Sequence, residues 1–103
     1  MIKLKLLTKE QIDTIPGIYE TEGVKDKICH VKLFNPSGVG TWYIVELDKE
    51  NNEAFGYVDL GYYPELGYFS LSELESFRGP LGIGIERDIH FKPTPWSKIE
   101  NSL

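Results

Sequence analysis

The sequence predicts an α+β domain: a twisted antiparallel β-meander of roughly three to five strands with two short helices. Three observations carry this expectation. Side chains alternate in character through 27–35, 41–48 and 53–60, the period-two pattern of strands. Two polar turns, Pro36-Ser37-Gly38-Val39-Gly40 and Lys49-Glu50-Asn51-Asn52, separate those segments by hairpin-like lengths. Helix-start chemistry occurs twice, with Thr8 followed by Gln11 and Ser70 followed by Glu73 at capping-box spacing.

The first helix is expected over 9–15, where Ile12 and Ile15 share a side and Pro16-Gly17 ends the turn pattern. Residues 18–26 read as an irregular, acidic connection. For the strands, placing Asp48 opposite Glu53 makes Leu47 face Ala54, Val45 face Gly56 and Tyr43 face Val58. Placing Asn35 opposite Thr41 makes Leu33 meet Tyr43 and Val31 meet Val45. Both hairpins then gather Cys29, Val31, Leu33, Tyr43, Val45, Leu47, Val58 and Leu60 on one face, the expected core. The other face carries His30, Lys32, Phe34, Trp42, Ile44, Glu46, Phe55, Tyr57 and Asp59. A helix or the C-terminal tail laid over these aromatics is the simpler expectation, and an open binding surface is the sharper one.

Beyond the third strand, Gly61-Tyr62-Tyr63-Pro64 makes a turn and 66–69 a short fourth strand. Ser70 then caps a helix over 71–77 with Leu71, Leu74 and Phe77 on one side, stopped by Arg78-Gly79-Pro80. Residues 85–92 form a charged strand or extended segment, closed by Pro93 and Pro95. The tail 96–103 either folds as a short helix or stays loose. Nothing repeats, and residues 1–103 make a single domain.

Charge narrows the function classes. Sixteen acidic against 11 basic residues give a formal net charge of −5. A duplex-binding surface gathers lysines and arginines so that phosphate contacts release counterions. Here they are scattered among carboxylates, apart from Lys3, Lys5 and Lys9, so direct nucleic-acid binding is disfavoured. A lone cysteine, Cys29, excludes an intrachain disulfide and points to a reducing compartment. No segment has the apolar length of a signal peptide or a membrane span, which makes a cytoplasmic protein the expectation.

Catalytic and metal signals are thin. Cys29 and His30 are adjacent on a strand and point to opposite faces, and His90 is the only other histidine. A structural zinc site needs four close nitrogen or sulfur ligands, so no metal and no cofactor are expected. His30 opposite Glu46 would be half of a general-base pair, with no nucleophile placed to complete it. The Gly79–Gly84 stretch follows a helix instead of a strand and lacks a lysine after it, and so reads as a turn needing positive φ. Arg87, between Glu86 and Asp88, suits a structural clamp onto Glu65 or Glu73, or alternatively a recognition role.

Several blocks are His30-Val31-Lys32-Leu33-Phe34, Thr41-Trp42-Tyr43, Phe55-Gly56-Tyr57-Val58, the run from Glu65 to Glu75, and Ile85-Glu86-Arg87-Asp88 with Phe91-Lys92-Pro93. In this order, across about Leu6 to Pro95, they resemble the bacterial family called domain of unknown function 2958. The resemblance implies a setting on plasmids, phages and integrative elements, and it implies no catalytic residues.

The expected function is a small non-enzymatic accessory module of a bacterial mobile element that contacts a protein partner. An acidic decoy for a nucleic-acid-processing enzyme is one form of it. Trp42, Ile44, Glu46, Phe55, Tyr57 and Asp59 are the expected contact residues, aromatics anchoring and carboxylates orienting. The alternative is a small enzyme acting on a nucleotide or other small substrate through His30, Glu46 and Arg87. Direct DNA binding through Lys3, Lys5 and Lys9 is a third route.

Overall fold

A computed structural model of the chain describes residues 6–103. Lys3 and Lys5 of the expected basic group lie outside the described residues. In chain order the elements are α1 (Lys9–Thr14), β1 (Ile28–Cys29), β2 (Val31–Phe34), β3 (Thr41–Asp48), β4 (Glu53–Asp59), β5 (Glu65–Ser70), α2 (Leu71–Ser76), β6 (Glu86–Arg87), β7 (Thr94–Pro95) and α3 (Trp96–Glu100). A five-stranded antiparallel sheet has the order β5-β4-β3-β2-β6, and β1 pairs separately with β7. The α+β meander is therefore present, with a third helix where the sequence left open a helix or a loose tail.

The caps act as their spacing implies. The Gln11 amide donates to the Thr8 hydroxyl at 3.1 Å, and the Thr8 amide donates back to the Gln11 side chain at 2.9 Å. The Ser70 hydroxyl accepts from the Glu73 amide at 3.1 Å, so β5 runs straight into α2. Of the extended segment at 85–92, only Glu86–Arg87 is a strand. The glycine-rich turn does need positive φ, at Leu81 (61°) and Gly82 (74°).

The spans of the second and third expected strands agree with the structure, and the first (27–35) is split at His30 into β1 and β2. The register differs throughout the first hairpin and in part of the second. Asp48 does face Glu53 and Leu47 does face Ala54. Val45 is then an extra residue, a β-bulge between Ile44 and Glu46, so that Ile44 faces Gly56, Tyr43 faces Tyr57 and Trp42 faces Val58. The first hairpin is also shifted by one: Phe34 faces Thr41, Leu33 faces Trp42 and Val31 faces Ile44. The cause is Asn35, which closes the loop itself. Its amide donates to the Gly40 carbonyl at 3.0 Å, and its side chain accepts from the Ser37 amide at 3.0 Å, an Asx-turn.

Because side chains alternate, each one-residue slip exchanges the two faces. The expected single core is corrected to two. One core holds Val31, Leu33, Trp42, Ile44, Leu47 and Ala54 beneath Leu6, Leu7, Ile15 and Leu71. The helices α1 and α2 cover that face, through Ile12, Leu71 and Leu74. The second core, on the opposite face, holds Cys29, Tyr43, Val45 and Tyr57 beneath Trp96, with Phe91 and Ile99 packed against it. The break at His30 lets Cys29 and Val31 enter different cores although they are two residues apart. Strand β3 is consequently buried on both faces along most of its length.

Candidate functional site

The bulge that shifts the register also aims Glu46 onto the same face as Phe55. Its carboxylate is buried, at 3% exposure, and is fully used. One oxygen accepts from the Tyr19 amide at 2.9 Å; the other accepts from the Thr21 amide at 3.0 Å and from the Thr21 hydroxyl. The Lys27 ammonium, buried nearby, donates to the Thr21 carbonyl at 2.6 Å and the Val24 carbonyl at 2.8 Å. A buried anion and a buried cation thus tie down the connection that precedes β1, each satisfied by backbone groups.

The tie has a purpose visible at Tyr19. Its φ is 72°, a left-handed conformation that costs a bulky residue about 1–2 kcal/mol. Its side chain is 69% exposed, so no burial compensates for this. The amide bond to Glu46 supplies the compensation. Glu46→Ala should therefore lower stability by about 2 kcal/mol, since it strands the amides of Tyr19 and Thr21. Urea denaturation followed by circular dichroism measures it, and a loss under about 0.5 kcal/mol would show that the connection holds itself.

Across the sheet, Glu46 faces Phe55 and Phe55 faces Tyr68. The rings of Phe55 and Tyr68 are 4.9 Å apart and tilted by 50°, a favourable edge-and-face arrangement. The Tyr19 chain bends back over this row. Tyr19 and Tyr68, with Ile18, Asp48 and Glu53, line a shallow cleft of about 540 Å³. Partial loss of hydration, the Tyr19 hydroxyl bonded to it, and the charges of Glu46 and Glu53 push the Tyr68 phenol above its ordinary range. Asp48 is committed to the turn, with its carboxylate accepting from the amides of Glu50 and Asn51 and from the Asn51 side chain. Those bonds, the Asn51 side chain first, hold its carboxyl below the usual value.

The six residues expected to share a contact surface do not share one. Trp42 and Ile44 lie in the first core, and Tyr57 lies under Trp96 in the second. Glu46 is internal. Asp59 is half-buried and accepts the Gly61 amide at 2.9 Å. Of the six, only Phe55 and, at the buried end, Glu46 sit in the row that reaches the surface. The trio His30, Glu46 and Arg87 is also separated. Arg87 faces Leu33 and donates to the Leu6 carbonyl at 2.5 Å, on the side opposite Glu46. That bond replaces the expected clamp onto Glu65 or Glu73. His30 is half-buried, which pushes its imidazole below the ordinary value. Burial, and secondarily the Asp26 charge, push the Cys29 thiol up to about 12, so it is a protonated core residue at neutral pH. Among the described residues no three His, Cys, Asp or Glu side chains group as a metal site.

Sequence reasoning missed Tyr19, Leu66 and Tyr68. The signal for the last two was available, since Leu66 and Tyr68 alternate with Gly67 in the fourth strand. Tyr19 has no periodic partner in its irregular connection, and nothing in the sequence marks its left-handed backbone.

The family described as "Protein of unknown function (DUF2958)" matches residues 6–98. The chain belongs to this family. The DUF2958 match includes Tyr19, Glu46, Phe55, Leu66 and Tyr68 and ends inside α3. No curated protein and no solved structure matches the chain. Among the described residues no helix is long and apolar enough to cross a membrane.

Proposed function

We propose that this DUF2958 chain is a small binding module, accessory to a bacterial mobile element, which contacts a protein partner through Tyr19, Phe55, Leu66 and Tyr68. The observation that carries this reading is the aromatic row that runs from buried Glu46 out to an open sheet edge. Tyr19, Leu66 and Tyr68 are each about half exposed or more, although the same face is covered by α3 only one residue pair away, at Tyr57. Large apolar side chains held rigid, adjacent and uncovered are what interface anchors require. The strained Tyr19 backbone supports the same reading, because strain is retained where a side chain must be presented.

A tagged pull-down from a bacterial host tests this, comparing the natural chain with a Tyr19→Asn/Tyr68→Thr variant. Asparagine tolerates the left-handed backbone and threonine suits a strand, so the fold should persist; circular dichroism checks that it does. A partner retained by the natural chain should be lost by the variant. Equal recovery by both would place the contact elsewhere and end this reading.

A further inference from the structure

The proposed contact includes backbone as well as side chains. β5 is an outer strand of the sheet, and the opposite outer strand, β6, is only two residues long and charged. β5 has six residues, with one charge at its start, and lacks the protection that outer strands commonly carry.

Which of its groups are free follows from the ladder. The Leu71 amide donates to the Asn52 carbonyl at 2.9 Å, which makes that pair a hydrogen-bonded one. Antiparallel pairs alternate, so Phe69, Gly67 and Glu65 bond to β4, while the amides and carbonyls of Leu66 and Tyr68 point outward. The other end of the sheet gives the same answer. The Asn35 amide donates to the Gly40 carbonyl, and counting across β2, β3 and β4 again leaves Gly56 bonded to Gly67. Ser70, opposite Glu53, faces outward by the same count but already caps α2. Within the body of β5 the outward-facing residues are therefore the two whose side chains extend the aromatic row.

Between them, Gly67 is unusual for what it lacks. It has no left-handed φ, and a Cβ there would meet nothing within 4 Å. Neither conformation nor internal packing requires glycine at this position. Its missing side chain leaves the middle of the outer strand bare on that face. The cleft beside this edge has charge of one sign: between Tyr19 and Tyr68 it is lined by Asp48 and Glu53 and by no basic residue.

We infer that β5 accepts an extended, basic segment of the protein partner as a sixth strand, with a lysine or arginine opposite Tyr68. Strand addition supplies main-chain bonds to Leu66 and Tyr68. The cation lies against the faces of Tyr68 and Tyr19 and beside Glu53, where ring quadrupole and carboxylate act together. An apolar side chain opposite Leu66 continues the cover that Trp96 gives to Tyr57. This inference rests on the binding-module reading.

The probe is an acetylated, amidated peptide, TVTKTVT, titrated into ¹⁵N-labelled protein and followed by amide chemical shifts. Saturable movement of the Leu66 and Tyr68 amides is expected. The control TVTETVT should bind about tenfold more weakly. N-methylation of the central lysine should abolish binding, whereas N-methylation of a neighbouring threonine, whose amide points away from β5, should leave it. Glu53→Gln should weaken TVTKTVT by about threefold. Unmoved β5 amides, equal binding of both peptides, or indifference to the lysine N-methyl group would overturn the inference. Movement of the same amides on concentrating the protein alone would also overturn it, by showing that a second copy occupies the edge. If the Tyr19→Asn/Tyr68→Thr variant loses its partner while the β5 amides ignore the peptides, the module stands and strand addition fails. If that variant keeps its partner, the module reading itself fails.

Discussion

Gly56→Ala is expected to be among the most damaging single substitutions in this domain. A Cβ at this position would lie 1.8 Å from the Tyr43 carbonyl oxygen, 2.9 Å from its carbon and 3.1 Å from the Val45 amide nitrogen. All three are backbone atoms of β3, the strand buried on both faces, so no flexible side chain can yield. The cause is the bulge at Val45, which bows β3 toward β4 at the position where Ile44 faces Gly56. Either the bulge moves, which would turn Glu46 away from Tyr19, or β4 leaves the sheet. A loss of about 3 kcal/mol is expected, a large share of the roughly 5–15 kcal/mol that holds a domain of this size. The urea midpoint measures it; a loss below about 1 kcal/mol would mean that the bulge is free to relocate.

Trp96→Ala should cost about 3–4 kcal/mol, with the damage confined to one face. The indole stacks on Tyr57 with centroids 3.8 Å apart and planes 5° from parallel, and meets Tyr43 edge-on at 5.6 Å. It is the lid of the second core. Its own amide, bonded to the Lys27 carbonyl at 2.8 Å, would survive the substitution. Amides in α3 and around β1 and β7 should lose hydrogen-exchange protection, while those of β3 and β4, backed by the first core, should keep theirs. Uniform loss across both faces would contradict the division into two cores.

Local chemistry was legible in the sequence and lateral displacement was not. The capping pairs at Thr8 and Ser70, the two hairpin turns and the span of β3 depend on neighbours in sequence, and propensity reads neighbours well. Register depends on where a single extra residue is absorbed. Val45 looks like any other β-branched strand residue, and Asn35 like any loop residue, yet between them they exchange the faces of Trp42, Tyr43, Ile44 and Val45. The site was lost at that step. Glu46 and Phe55 belong to it, but Glu46 supports the loop and contacts no partner, and the exposed end of the row belongs to Tyr19 and Tyr68. The alternation of Leu66 and Tyr68 about Gly67 marks their shared face, but their exposure depends on β5 being outermost, a fact of the assembled sheet.

The division into two cores also assigns each of the two tryptophans a separate environment. Trp42 is packed beneath α1 and α2; Trp96 is packed against tyrosine rings on the reverse side. Removing either indole leaves an intrinsic optical reporter for the other half of the molecule. Emission from Trp96, one strand pair from Leu66, is placed to register events at the open edge, while Trp42 is screened from them by the thickness of the sheet.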